Sequence, residues 1–244
     1  MLHKGKALKI MHDKPAKDAE KEAKKQTYAY DAGLPVPKVH RAYGAEGNAY
    51  VLMDYIKGCN FVEACPEDPV QIKEYMQTLV GLQIQMHQLD GGDLIDMKQH
   101  FREKIKKVKI SRRIKRKYIK ELKHLEYNTC LCHMDYHPMN LLLSEEGKPY
   151  IIDWSNACAG SREADVCNSY LILTIIGQKE LAELYLTLYC AMSNMQKADI
   201  WNCMGLVACM KLSEKRSDEE KANLLEIVMQ DYKSKSIFRF LRKK

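Results

Sequence analysis

Residues 132–140 read Cys132-His133-Met134-Asp135-Tyr136-His137-Pro138-Met139-Asn140, and residues 151–154 read Ile151-Ile152-Asp153-Trp154. Between these strings, apolar runs at Leu141 to Leu143 and Tyr150 to Ile152 flank the turn-rich Ser144-Glu145-Glu146-Gly147-Lys148-Pro149, which predicts a short hairpin. A hairpin brings its two ends together. Asn140, opening one strand, and Asp153, ending the other, are therefore expected side by side. An amide carbonyl beside a carboxylate is hard-oxygen ligation, suited to Mg²⁺ with phosphate oxygens completing the shell. Asp135 lies on the loop five residues before Asn140. It is placed to orient an acceptor hydroxyl and receive its proton.

Working outward, the N-terminal third reads as mixed strand and helix. Ala7 to Met11 is a short apolar strand, and Lys14 to Asp31, rich in Lys, Glu and Ala, reads as a helix. Gly33 supplies a left-handed cap, and Pro35 and Pro37 stop any continuation. Val39 to Tyr43 and Ala49 to Ile56 follow as strands around Ala45-Glu46-Gly47-Asn48. Gly58 marks a break. Beyond it Ile72, Tyr75, Met76, Leu79, Leu82 and Met86 recur at helical spacing, predicting a helix over 68–88. From Glu163 onward the pattern is helical, with a capping box in which Ser217 precedes Glu220.

At 244 residues the chain can bury a sizeable core. No apolar run approaches the roughly 20 residues that cross a bilayer, and Met1 to Lys6 lacks the pattern of a signal peptide. The nine cysteines form no CxxC pair, and Cys130 and Cys132 stand too close together for a zinc site or structural disulfide. Free thiols in a reducing cytoplasm are the expectation. Net charge is +7, yet Arg102 to Lys123 holds twelve Lys or Arg against Glu103 and Glu121, a local +10 that leaves −3 for the remainder. Such a segment suits nucleic acid or an anionic surface. The plainer expectation is a solvated helical face, with Phe101, Ile105, Val108, Ile110, Ile114, Tyr118 and Leu122 turned inward. No interleaved aromatics provide base stacking, so nucleic acid is not an expected partner.

The order HxDxxxxN followed thirteen residues later by Asp resembles the catalytic loop and metal Asp of the protein-kinase-like fold. The His-x-Asp-x-x-Pro-x-Asn variant and the Ile-Asp-Trp ending are closer to the aminoglycoside phosphotransferases and choline kinases. Leu34-Pro35-Val36-Pro37, Asp54-Tyr55-Ile56-Lys57-Gly58 and Ala164-Asp165-Val166 are similar to that family's stretch after its first helix, its inter-lobe hinge and its Asp-Val after the metal site. The resemblance implies an α+β, protein-kinase-like two-lobed fold. Residues 1–57 would form a short β-rich nucleotide-binding lobe, and 58–244 a larger helical lobe with the catalytic loop and acceptor site. It implies an ATP-dependent, Mg²⁺-requiring phosphotransferase acting on a hydroxyl of a small molecule.

Carried over by position, Asp135 would be the catalytic base, and Asn140 and Asp153 the metal ligands. Lys9 would contact the ATP phosphates and Glu22 would pair with Lys9, while backbone near Asp54 and Ile56 would hold adenine. His133 and Asp165 would brace the loop; His137 would pack within it, with substrate binding as the alternative, and Trp154 would be core rather than a ligand stacker. Glu163, Glu180 and Glu183 are candidate acids for a cationic acceptor. The sequence departs from the family at two places. Met134 and Met139 stand where the family usually has Gly, although protein kinases carry bulky residues there. Only eight residues precede Lys9, where the fold normally has two strands and a phosphate-covering loop. A start further upstream, or an open nucleotide site, is expected from this, and a catalytically weak nucleotide-binding pseudokinase is the alternative reading.

Overall fold

The computed structural model describes residues 5–65, 68–125 and 129–241. Strand β1 (Lys6–Met11) leads to helix α1 (Ala16–Asp31), strands β2 (Val39–Ala45), β3 (Asn48–Asp54) and β4 (Gly58–Asn60), and helices α2 (Phe61–Ala64) and α3 (Pro69–His87). Helices α4 (Met97–Lys107) and α5 (Arg112–His124) precede strands β5 (Cys130–Cys132), β6 (Leu141–Ser144), β7 (Pro149–Ile151) and β8 (Cys158–Gly160). Helices α6 (Arg162–Ile175), α7 (Lys179–Ser193), α8 (Lys197–Asn202), α9 (Met204–Lys211) and α10 (Asp218–Leu241) follow. The ladders between these strands are antiparallel, giving the expected α+β organisation. The described residues cluster into two compact units. One runs up to Leu89 and includes Asp135–Ala157; the other comprises Asp90–Met134 and residues from Cys158 onward.

In the first unit β1, β3 and β2 form one sheet in the order β1-β3-β2. Glu46 and Gly47 both have positive φ, so the turn between β2 and β3 has the twist that a two-residue hairpin requires. Tyr43 and Tyr50 face each other across it as stacked rings, 5.0 Å apart. Helix α1 packs on this sheet through Ala19 and Ala23 against Ala49 and Val51, small residues that allow close approach. It ends where expected, at Gly33 with φ +85. The third strand stops at Asp54 rather than Ile56: Tyr55 N–H still bonds the Gly5 carbonyl in the register of the β1–β3 ladder, but Gly5, with φ +70, is no longer extended. The chain then forms β4, which the sequence did not suggest. Gly58 opens it, and a Cβ there would lie 1.9 Å from the Leu143 carbonyl oxygen. Strand β4 pairs with β6, which forms the expected hairpin with β7.

In the second unit α4 and α5 bury Phe101, Ile105, Val108, Ile114, Tyr118 and Leu122 as their spacing predicts. Ile110 departs from that expectation. It falls between the two helices and stays partly exposed. The Tyr118 hydroxyl lies 3.0 Å from Asp231 Oδ2, and Lys117 Nζ lies 2.9 Å from the same oxygen, tying α5 to α10. Ser217 and Glu220 form the expected capping box at the start of α10. Strands β5 and β8 pair over three residues each and were not anticipated.

Just after α9, Glu214 receives Lys104 at 3.1 Å, Arg216 at 2.8 Å and Lys211 at 3.3 Å. Burial alone would raise the Glu214 carboxyl, but the three cations outweigh it and hold its pKa down at about 2. A depressed carboxylate stabilises the fold above its unfolded pKa, near 4.5, and loses that contribution as pH falls toward about 2. Glu214→Gln should therefore cost about 3 kcal/mol at neutral pH and flatten the acid limb over that window. Denaturant melts across pH would check this, and an unchanged acid limb would refute it.

Candidate active site

The site is assembled from segments far apart in sequence. Lys9 sits on β1, Glu22 on the sheet-facing stripe of α1, and Asp153 two residues beyond β7. Glu22 shares its stripe with Ala19, Ala23, Gln26 and Ala29, so helical periodicity turns a carboxylate inward among small residues. Lys9 Nζ lies 2.6 Å from Glu22 Oε1 and 2.8 Å from Asp153 Oδ1. The two sides of the pair respond differently. Burial pulls the Lys9 ammonium down, yet Glu22 and Asp153 together overcome it and raise its pKa. For Glu22, burial dominates and lifts the carboxyl despite Lys9. The asymmetry has a structural cause: the lysine has two carboxylates, whereas Glu22 Oε2 has no hydrogen-bond partner among the described residues.

Asp153 has φ 61 and ψ 66, a left-handed conformation uncommon outside glycine. It is followed by a 3-10 turn, Trp154–Asn156, whose Trp154 is fully buried as expected and donates its indole N–H to the Ile151 carbonyl at 3.2 Å. Lys25 on α1 reaches the Ser155 carbonyl at 2.6 Å, joining helix and turn.

Asp135 and Asn140 share one loop. Asn140 closes a 3-10 turn, Pro138–Asn140, and does not itself open the strand, which starts at Leu141. Its Nδ2 donates to the Asp135 carbonyl at 2.8 Å and stands 3.5 Å from Asp135 Oδ2. The contacts of the Asn140 amide run through Nδ2, and no donor among the described residues reaches Oδ1. The Ile152 N–H bonds to the Asn140 carbonyl at 3.0 Å, so the hairpin ends do meet, one residue before Asp153. His137 was expected to pack within the loop, with a part in substrate binding as the alternative. It lies 3.2 Å from Asn140 Nδ2 and 3.9 Å from Asp135 Oδ1. Its position three residues before Asn140, across one 3-10 turn, is the signal that could have identified it.

Met134 has φ 60, the conformation for which glycine would be expected. The side chain is nevertheless accommodated, fully buried, and the backbone is held by a 2.6 Å bond from its N–H to Asp165 Oδ1. Met139 is well exposed and carries no such strain.

The structure does not bring Asp54 or Ile56 to the ion-pair group. Asp54 pairs with Lys6 at the far end of the β1–β3 ladder, whereas Lys9 pairs with Val51. The Asp54 carboxylate meets His40 Nε2 at 2.6 Å, and its N–H goes to the Lys38 carbonyl. Ile56, just past the strand, has no backbone hydrogen bond among the described residues, so its N–H and C=O remain available. Glu163 is engaged locally by Ser161 and Arg162, and Glu183 by Tyr170 and Lys197. As a donor set, Asn140 Oδ1 and the Asp153 carboxylate are hard oxygens and fit Mg²⁺ better than a thiophilic metal.

Residues 4–201 match the model of a family described as the phosphotransferase enzyme family. No curated protein sequence matches the chain. Among solved structures, choline kinase LicA from Streptococcus pneumoniae is 14% identical, with a TM-score of 0.65 over 94% of this chain and 88% of its own. Aminoglycoside phosphotransferase APH(3'')-Id from Streptomyces rimosus, in complex with ADP and streptomycin, is 11% identical, with a TM-score of 0.64 over 87% of this chain and 88% of that one. An ethanolamine kinase from Plasmodium vivax is 12% identical, with a TM-score of 0.61 over 92% and 74% respectively. At these identities the likeness is one of fold, the kinase-like α+β fold.

If the bond from Met134 to Asp165 holds the left-handed backbone, Asp165→Ala should lower stability by about 2 kcal/mol, and Asp165→Asn, which keeps an acceptor, should recover much of it. Thermal melts of the two variants measure this. Equal melting temperatures for wild type and Asp165→Ala would remove the bracing role.

Proposed function

Because this chain belongs to the phosphotransferase enzyme family, we propose that it transfers the γ-phosphoryl group of ATP to a hydroxyl of a small-molecule acceptor. The observation that carries this reading is the Lys9 ammonium held between Glu22 and Asp153. It presents a fixed cation beside a carboxylate and within the unit that also holds Asp135 and Asn140.

Each residue has a role that its surroundings support. Lys9, oriented by Glu22, binds phosphate oxygens of the nucleotide. The N–H and C=O of Ile56 offer one donor and one acceptor for the edge of adenine. Asn140 Oδ1 and the Asp153 carboxylate would hold Mg²⁺, which supplies charge neutralisation on the phosphates. Asp135 orients the acceptor hydroxyl and takes its proton as the oxygen bonds to the γ-phosphorus and the bond to the β-phosphate oxygen breaks, releasing ADP. Asn140 fixes the Asp135 loop through its bond to the Asp135 carbonyl, so one side chain would serve both metal and base.

The acceptor is an alcohol of the kind handled by related kinases, among amino alcohols, sugars and aminosugars. Solved relatives include an enzyme in complex with ADP and streptomycin and kinases of choline and ethanolamine. Among the described residues no helix is long and apolar enough to cross a membrane. All nine cysteines are free, which supports a reducing cytoplasmic setting.

Mg²⁺-dependent ADP release, measured against a panel of amino alcohols, sugars and aminoglycosides, tests the proposal. Asp135→Ala should slow turnover at least about a hundredfold, and Asn140→Ala should raise the Mg²⁺ concentration needed for half-maximal rate. Equal rates for wild type and Asp135→Ala would overturn the enzymatic reading and leave a nucleotide-binding module.

A further inference from the structure

The basic segment stands outside the chemistry just described, in the unit that holds none of Lys9, Glu22, Asp135, Asn140 and Asp153. Of its twelve Lys and Arg, ten fall into two groups. Lys104 is committed to Glu214, and Lys117 to Glu121 and Asp231. Eight others, Lys106, Lys107, Lys109, Arg112, Arg113, Arg116, Lys120 and Lys123, are exposed, and none has an acidic partner among the described residues.

Their placement is ordered. On α5, Ile114, Tyr118 and Leu122 are buried, and Arg112, Arg116 and Lys120 each lie two residues earlier. Two residues along an α-helix rotate a side chain by about 200°, so the cations form a straight row on the side opposite the core. With Lys123 the row runs about 17 Å along the helix. Lys115 Nζ bonds the Lys106 carbonyl at 3.0 Å, which fixes the corner between α4 and α5. The first turn of α5 carries Arg112 and Arg113 and no acid. Helix N-termini favour carboxylates, because the macrodipole is positive there. Cations at that end repel both the dipole and one another, a cost that the fold does not offset internally.

We infer that the outer face of α4 and α5 binds the headgroups of an anionic lipid bilayer, holding the protein reversibly on that surface. The apolar stripes of both helices are used in the core, and no aromatic or large apolar side chain is exposed on this face. Attachment is therefore electrostatic and does not involve insertion. A bilayer suits the row better than nucleic acid does. Mobile headgroups can gather under cations at any spacing, whereas this face offers neither stacking rings nor free amide side chains for bases: Gln99 is bonded to Glu103.

Co-sedimentation of the full chain with vesicles of phosphatidylcholine alone, or mixed with phosphatidylglycerol, tests this at low and high salt. Binding should require phosphatidylglycerol and disappear at high salt. The triple variant Arg112→Glu/Arg116→Glu/Lys120→Glu should bind at least about tenfold more weakly, and Arg112→Gln/Arg116→Gln/Lys120→Gln should fall between it and wild type. Glutamate at position 112 is favourable to the helix, so circular dichroism should show helix content retained. ATP turnover should not change, which keeps this result separable from the kinase reading. Absence of binding, equal binding to neutral vesicles, undiminished binding by the triple Glu variant, or release from vesicles by duplex DNA at equal phosphate would each overturn the inference.

Discussion

One ammonium group, that of Lys9, organises the first unit. A carboxylate cannot be buried on the sheet-facing side of a helix without a counter-charge, and Glu22 is almost fully buried there. Lys9 supplies that charge from β1 and uses its remaining capacity on Asp153, 144 residues away in sequence. The strand, the helix and the end of the β6–β7 hairpin are thereby fixed to one point. Packing around it follows: alanines at positions 19 and 23 let α1 approach the sheet closely enough for the short Glu22 side chain to reach. The arrangement is under-satisfied by one oxygen, and that shortfall explains why burial lifts the Glu22 carboxyl even with a lysine 2.6 Å away.

Backbone strain also falls at or beside the candidate aspartates, positions that account for two of the five positive-φ non-glycine residues among the described residues. Met134 and Asp153 are both left-handed without being glycine, and each such residue costs on the order of 1 kcal/mol. Each is over-determined by its surroundings. Met134 precedes Asp135 and is held by Asp165; Asp153 precedes a turn pinned by buried Trp154 and by Lys25. Strain held in this way sets the direction of the adjoining carboxylate more rigidly than a relaxed loop would.

The parts of this arrangement that could be read from sequence are those encoded locally. The β6–β7 hairpin, the turn at Glu46-Gly47, the end of α1 at Gly33 and the capping box at Ser217 each depend on a few neighbouring residues whose chemistry admits one solution. Strands β4, β5 and β8 escaped because three residues display no alternation, and Cys130 to Cys132 are buried on both faces. Their existence is decided by partners distant in the chain. Ile110 is not buried because the helical period is interrupted between Lys107 and Arg112. Glu22 lies among Glu20, Lys21, Lys24 and Lys25, where solvated ion pairs are the ordinary outcome. Only its phase relative to Ala19 and Ala23 sets it apart. The contacts of His137 are hidden in the sequence for a similar reason: Asp135 and Asn140 become its neighbours only once the 3-10 turn forms.

Charge distribution in the second unit follows a different logic. What α4 and α5 need in order to fold is their buried stripe, the contact of Tyr118 and Lys117 with Asp231, and the contact of Lys104 with Glu214. A merely solvated face would serve as well with mixed signs, and would be better off with them, because i,i+4 pairs of opposite charge add helix stability and like charges subtract it. Arg112, Arg116 and Lys120 are successive i,i+4 neighbours of one sign, and Arg112 and Arg113 stand at the positive end of the helix dipole. The like-charge i,i+4 spacing of the row and the dipole at its first turn are therefore set against them. The core can tolerate such a row but does not require it, so the arrangement is better explained by an external anion than by the stability of the unit itself.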